Sequence, residues 1–351
     1  MTEPLGVALV QYPPNPVLGD LLAFLRAQVP LKPHMRLWVF PELHLGPRVE
    51  QAPHQAARAL TDPELGQLGQ VAAELGIWLI PGSIYERGAN GTVYNTALVY
   101  APDGTRVSSY RKIFPWRPLE TSVPGTEFEV FEIPGHGTIG LSICYDIWFP
   151  EHTRQLAWLG ADMVINMVQT GTSERSQEQA IVTGNAVMNQ LWVASVNTAS
   201  PVGRGRSLIV DPEGVRRAEL PGAEPGILTC MVDLGQTRTV RNYGTAGVSS
   251  PFKQFYANDV PIHLPMYDGY LTGASMAAAL GEPTPPAAPG PQTAAEAQSM
   301  AIFGAPAAAA DPTVSELPLE GPEDGDFLAD YSPTPSGEPG SGLPLVPEAG
   351  A

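Results

Sequence analysis

The stretch Thr138-Ile139-Gly140-Leu141-Ser142-Ile143-Cys144-Tyr145-Asp146-Ile147-Trp148-Phe149-Pro150-Glu151 decides how the rest of the chain is read. Its first six residues form a short apolar run of the kind that builds a buried strand. The run stops at Cys144. Pro150 suits the first turn of a helix, where its missing N–H costs nothing, and Glu151 is favoured at the positive helix end. A cysteine is thus expected where a strand hands over to a helix. Open α/β architectures present reactive groups at the carboxyl ends of their strands. Free cysteines are also among the most buried residues. Burial accounts for Cys144 as well as chemistry does until the flanking segments are read.

Upstream, Gly6–Gln11, Arg36–Phe40, Ile77–Ser83, Val93–Tyr100 and Val107–Tyr110 read as strands, with helical spacing over 18–29 and 61–75. Downstream, strands are expected at Phe128–Ile133, Asp162–Asn166, Trp192–Asn197, Ser207–Asp211 and Gly226–Leu234. A helix is expected over 150–159, and a longer amphipathic one over 173–190 with Ala180, Ile181, Gly184, Val187 and Met188 as its apolar stripe. Such alternation predicts an α/β fold with helices on both sides of mixed sheets. No repeat of solenoid length is visible. Cys230 falls in an apolar strand and is expected to be inert core.

Bulk properties narrow the function classes. The chain has 351 residues, 43% of them hydrophobic, and a formal charge of −17, which argues against general nucleic-acid binding. The charge is uneven: from Ser275 onward there are 11 acids and no Lys or Arg. Beyond Met276, Pro, Ala, Gly, Ser and acids dominate, and residues 277–351 are expected to be a disordered tail. With 2 cysteines no disulfide framework is expected. No basic-then-apolar segment marks a signal peptide, and no apolar run is long enough for a membrane span. A reducing, cytoplasmic setting is therefore expected, with no membrane partner. The six histidines form no ligand-like cluster, so neither a metal nor another cofactor is expected.

Glu42, Lys112, Glu120 and Cys144 lie at or just beyond strand ends. Together they supply a cysteine-based acyl-transfer site. A thiol has a reference pKa of about 8.5, so it needs a base to take its proton and a cation to favour the thiolate. Glu42 suits the first part and Lys112 the second. The Tyr145 backbone N–H can join Lys112 at a developing oxyanion.

Three segments carry a family resemblance: Val39-Phe40-Pro41-Glu42, Tyr110-Arg111-Lys112, and Ile143-Cys144-Tyr145-Asp146 with Phe149-Pro150-Glu151. They resemble the three signature segments of the nitrilase superfamily of carbon–nitrogen hydrolases, in the same order, and the likeness runs from about Leu5 to Leu234. The resemblance implies a four-layer αββα sandwich that pairs with a second copy. It implies Glu42 as general base, Lys112 as oxyanion stabiliser and Cys144 as nucleophile. The stretch from Tyr110 to Glu120 is similar to a loop of aliphatic amidases and formamidases, which implies Glu120 as a fourth catalytic residue. Tyr145-Asp146-Ile147-Trp148 is nearer the ω-amidase and carbamoylase branches.

The expected reaction is hydrolysis of a linear carboxamide to a carboxylate and ammonia or an amine, through a thioester. An N-carbamoyl-amide hydrolase, a nitrilase and a catalytically silent assembly subunit are the alternatives. Tyr145, Trp116, Trp148, Gln169 and Thr170 are candidate pocket residues, the tryptophans serving equally well as core. Asp146, Asn166 and Asn197 are expected to be structural. The hydrolase domain is expected over 1–274, with a core of 5–234 and a docking extension of 235–274, assembled as a homodimer or larger homo-oligomer.

Overall fold

A computed structural model of the protein describes residues 3–46, 52–117 and 119–253. In chain order the strands and helices are β1 (Leu5–Gln11), α1 (Leu18–Gln28), β2 (Leu37–Val39), α2 (Pro53–Ala56), α3 (Pro63–Leu75), β3 (Trp78–Ile80), β4 (Ser83–Arg87), β5 (Val93–Tyr100), β6 (Arg106–Arg111), β7 (Val130–Ile133), β8 (Gly137–Ile143), α4 (Pro150–Trp158), β9 (Met163–Val168), α5 (Arg175–Asn189), β10 (Trp192–Asn197), β11 (Leu208–Val210), β12 (Arg216–Glu219), β13 (Gly226–Val232) and α6 (Gly235–Tyr243). One sheet runs β13-β1-β2-β3-β5-β4, with β6 on β5; the other runs β12-β11-β10-β9-β8-β7.

The central strands β1, β9 and β10 are buried at every residue, and mostly apolar, because both their faces are covered. In β1, Val7 and Leu9 point into the layer between the sheets, where they join Leu141, Ile143, Ile165, Met167 and Ala194. Ala8 and Val10 point the other way, onto Leu21, Leu25, Leu65, Leu68 and Val71 of α1 and α3. The second sheet repeats this. Val164 and Val193 turn outward to Leu156 of α4 and Val182 and Ala186 of α5. The order helix, sheet, sheet, helix is the four-layer αββα sandwich that the resemblance implied.

β2 and β3 are parallel, and β6 runs with them because two antiparallel pairings separate it from β3. β8, β9 and β10 are parallel in the other sheet. The segments leaving β2, β6, β8 and β9 at their carboxyl ends are the ones that carry the candidate site residues.

Two expectations are corrected. The apolar stripe assigned to α5 is not its buried face: Val187 and Met188 are 45% and 47% exposed, and Ala180 is exposed too. The buried face carries Arg175, Glu178, Gln179, Val182, Asn185, Ala186 and Asn189. Helical spacing finds a stripe but not what lies against it; here a polar face is buried because it is hydrogen-bonded inside. Cys230 is half-buried on β13, whose residues alternate between burial and exposure beside β1. Smaller differences concern ends: Asn166 lies within β9, which continues to Val168, and β7 starts at Val130 rather than Phe128. The expected disordered tail, and the docking extension beyond residue 253, lie outside the described residues. No helix among the described residues is long and apolar enough to cross a membrane.

Ile165 is central to this packing, fully buried between the sheets on β9. Ile165→Ala is expected to lower stability by about 2–5 kcal/mol, read as a shift in the urea unfolding midpoint at unchanged slope.

Candidate active site

The nucleophile candidate sits on a strained turn. β8 ends at Ile143, and Cys144 has φ +47°, a left-handed value that costs a residue with a Cβ about 1–2 kcal/mol. The chain then passes through a 3-10 turn, Cys144–Trp148, before α4 starts with Pro150 in its first turn. The strand therefore hands over to a tight turn rather than directly to a helix. Asp146 holds the turn. Its carboxylate accepts from Ile143 N (2.9 Å), Phe114 N (2.8 Å) and the Tyr110 hydroxyl (2.7 Å). Asn166 Nδ2 donates to the Cys144 carbonyl at 3.3 Å. Because Phe114 and Tyr110 flank Lys112, Asp146 fastens the lysine segment to the cysteine turn. Burial, the largest effect, pushes the Asp146 carboxyl up to about 6, against the opposing charge of Lys112 and these hydrogen bonds.

Glu42, Lys112, Glu120 and Cys144 come together in one buried cluster. Lys112 Nζ donates to Glu42 Oε1 at 2.9 Å and to Glu120 Oε2 at 2.6 Å, and all three side chains are at most 1% exposed. A buried ammonium between two carboxylates leaves one negative charge in excess. Other donors spread it. Asn95 Nδ2 reaches Glu42 Oε1 (2.8 Å) and Glu120 Oε1 (3.1 Å). Trp116 N (3.0 Å) and the Ser122 hydroxyl (2.9 Å) donate to Glu120, and Gln169 N donates to Glu42 Oε2 (3.1 Å).

The two carboxyls are thereby made unequal. Burial would raise Glu120, but the charge of Lys112 and bonds from Lys112, Trp116 N and Asn95 hold it below the usual carboxylate range. Burial leads at Glu42 too, and there it wins over Lys112, so its pKa is raised; a hydrogen bond with the Cys144 thiol acts in the lowering direction. Lys112 is raised well above its ordinary value, its two carboxylates outweighing burial. Cys144 is raised, chiefly by burial and then by the charge of Glu42, with Lys112 opposing. The arrangement is a resting thiol beside an acceptor whose proton affinity has moved toward it.

All five candidate pocket residues, Trp116, Tyr145, Trp148, Gln169 and Thr170, line a narrow cleft at Cys144. Thr170 Oγ1 is 3.9 Å from the sulfur. Asn197 fixes its backbone, accepting from Thr170 N (2.9 Å) and donating to Thr170 O (3.1 Å). Sequence reasoning missed Asn95, Glu174 and Glu178. Asn95 had a signal: it precedes Ala97 and Val99 at a period of two on the buried face of β5, and a lone polar side chain there needs a buried partner. Glu178 had none, since a Glu on a helix reads as solvated.

The model of the carbon-nitrogen hydrolase family matches residues 6–242. The omega-amidase NIT2 of Xenopus tropicalis is 34% identical over 195 residues, which cover 50% of this chain and 68% of that protein. A formamidase of Pseudomonas syringae pv. tomato is 31% identical over 229 residues, covering 64% and 67%. Among solved structures, Nit3 of Saccharomyces cerevisiae, described as a member of branch 10 of the nitrilase superfamily, matches with TM-score 0.62 at 25% identity over 68% of this chain and 94% of that one. A mutant amidase from Nesterenkonia sp. AN1 in complex with butyramide matches with TM-score 0.60 at 26% identity, over 69% and 95%. Another mutant of that amidase, described as showing covalent addition of the acetamide moiety of fluoroacetamide at the active site cysteine, matches with TM-score 0.60 at 26% identity, over 68% and 94%.

Asp146→Ala orphans the buried Ile143 and Phe114 backbone N–H groups and leaves the Tyr110 hydroxyl with His152 Nε2 in place of its carboxylate partner. It is expected to cost about 3–5 kcal/mol of stability, measured by denaturant unfolding.

Proposed function

The chain belongs to the carbon-nitrogen hydrolase family, a hydrolase acting on carbon–nitrogen bonds other than peptide bonds, and from that premise we propose that it cleaves a linear carboxamide to a carboxylate and ammonia or an amine through a thioester on Cys144. The observation that carries this reading is the Lys112 ammonium bonded to Glu42 at 2.9 Å and Glu120 at 2.6 Å beside a buried thiol. The relatives support it: an omega-amidase, a formamidase and an amidase described in complex with butyramide are all amide hydrolases by name.

In this reading Glu42 takes the Cys144 proton as the sulfur attacks the amide carbonyl. The oxyanion forms against Lys112 Nζ and the Tyr145 backbone N–H. Glu42 passes the proton to the leaving nitrogen as the C–N bond breaks and the thioester remains. Water then loses a proton to Glu42 and attacks the thioester; the C–S bond breaks, and the sulfur recovers its proton from Glu42. Glu120 stays ionised throughout, which keeps Lys112 an ammonium and directs it at the oxyanion. Raised proton affinity at Glu42 suits it to both directions of transfer, because a base matched to its partner moves a proton with least driving force lost. Cys144 and Cys230 are both free, which suits a reducing, cytoplasmic setting.

The same reading includes a homodimer formed through the outer face of α4 and α5. Trp158, Val187 and Met188 are 72%, 45% and 47% exposed there, and isologous contact of two such faces would remove them from water.

Two outcomes are expected. Cys144→Ala loses turnover of every amide while unfolding at the wild-type temperature; an active variant excludes the thioester route. Mass spectrometry of the wild-type enzyme quenched during turnover shows an acyl increment on Cys144. Separately, Met188→Glu is expected to shift the chain from dimer to monomer in analytical ultracentrifugation, and an unchanged sedimentation coefficient excludes this face.

A further inference from the structure

Resting on the amidase reading above, we propose that the acyl chain taken by this site is short and ends in a protonated amine, held by Glu178 with help from Glu174. The cleft on Cys144 combines aromatic surface, from Trp116, Tyr145 and Trp148, with the carboxylates of Glu174 and Glu178, and among the described residues no Lys, Arg or His lines it. Aromatic faces with carboxylates attract an ammonium group and repel a carboxylate.

The hydrogen-bond pattern of the cleft points the same way. Thr170 Oγ1 donates to Glu178 Oε1 at 2.7 Å, and the Thr172 hydroxyl donates to Glu174 Oε2. Both hydroxyl protons are therefore committed to the carboxylates. Gln169 is 1% exposed, and its Oε1 accepts no hydrogen bond among the described residues. Its backbone N–H and its Nε2 are both directed at Glu42, at 3.1 and 3.4 Å, so the side chain is held in place and its acceptor is left for a ligand. A buried acceptor without a partner is costly unless a donor arrives. An ammonium brings three donors.

Glu178 is held from its far side. Arg175 Nη1 donates to Glu178 Oε2 (3.1 Å) and Ser195 Oγ (3.2 Å), Nε to Gly205 O (3.0 Å) and Nη2 to Arg206 O (3.0 Å). The guanidinium is thus occupied by the protein, while Oε1 is the oxygen joined to Thr170, the residue beside the sulfur. The steps from Cys144 Sγ to Thr170 Oγ1 (3.9 Å) and on to Glu178 Oε1 (2.7 Å) set the reach. With bonds of about 1.5 Å, about two or three methylene groups between the acyl carbon and the nitrogen span that distance.

Three amides of matched length test the proposal: 4-aminobutanamide, pentanamide and the monoamide of glutaric acid, which end in an ammonium, a methyl and a carboxylate. Ammonia release by the wild-type enzyme is expected to give kcat/KM for 4-aminobutanamide about tenfold or more above pentanamide, with the carboxylate-bearing amide below both. In Glu178→Gln the ratio of the first two is expected to fall toward one. Glu174→Gln, at a half-buried position, provides the same reading if the Glu178 variant does not fold. A preference for pentanamide or for the glutaric monoamide overturns the proposal, as does an unchanged ratio in both variants at wild-type unfolding temperature. Pentanamide turned over without preference for the amine sinks this inference and leaves the amidase reading standing. Turnover of none of the three overturns the amidase reading itself.

Discussion

A single ammonium, Lys112 Nζ, holds the centre of this molecule together. It lies between Glu42 and Glu120, at 2.9 and 2.6 Å, with all three side chains withdrawn from water. Removing ions from water costs several kcal/mol each, and attraction offsets that only where geometry and further hydrogen bonds are good. Here Asn95, Ser122 and the backbone N–H groups of Trp116 and Gln169 complete the arrangement. Two carboxylates on one cation cannot be equivalent. The one with more donors stays ionised, and the other is left with the higher proton affinity beside the thiol. Two acids of the same chemistry are thus set apart in proton affinity by their surroundings.

That cluster depends in turn on how the two sheets meet. Glu42 and Lys112 leave β2 and β6 of one sheet; Cys144 and Gln169 leave β8 and β9 of the other. The layer between the sheets, filled by Val7, Leu9, Ile143, Ile165 and Met167, fixes their separation, and with it the distance between acid and sulfur. Asp146 adds a local tie, since it receives hydrogen bonds from both the lysine segment and the cysteine turn. A strained backbone at Cys144 persists because these bonds over-determine it.

The polar side of α5 shows how site and fold share material. Arg175, Glu178, Gln179, Asn185 and Asn189 are buried where a globular helix usually presents aliphatics. Their hydrogen bonds join the loops after β9 and β10 to the helix; Arg175 alone reaches Gly205 O, Arg206 O and Ser195 Oγ. The apolar residues displaced from that side, Val187 and Met188, emerge on the outer surface. A hydrogen-bonded interior face and the exposed Val187 and Met188 are two consequences of one helix rotation.

Much of this was legible in order along the chain. Strand signals ending near Glu42, Lys112 and Cys144 were readable, and strand ends are where an α/β fold offers chemistry, so the three segments pointed to the architecture and to the candidate reacting groups. Local chemistry suffices there because strand, turn and helix signals act between near neighbours. The sequence by itself did not reveal Asn95 bridging two acids across strands, the inward polar face of α5, or the edge position of Cys230. Each of these depends on which element covers which face. That is settled by packing between residues far apart in the chain: Asn95 and Glu42 meet through the strand order of one sheet, and Gln11 and Ser207 meet only once both sheets are in place.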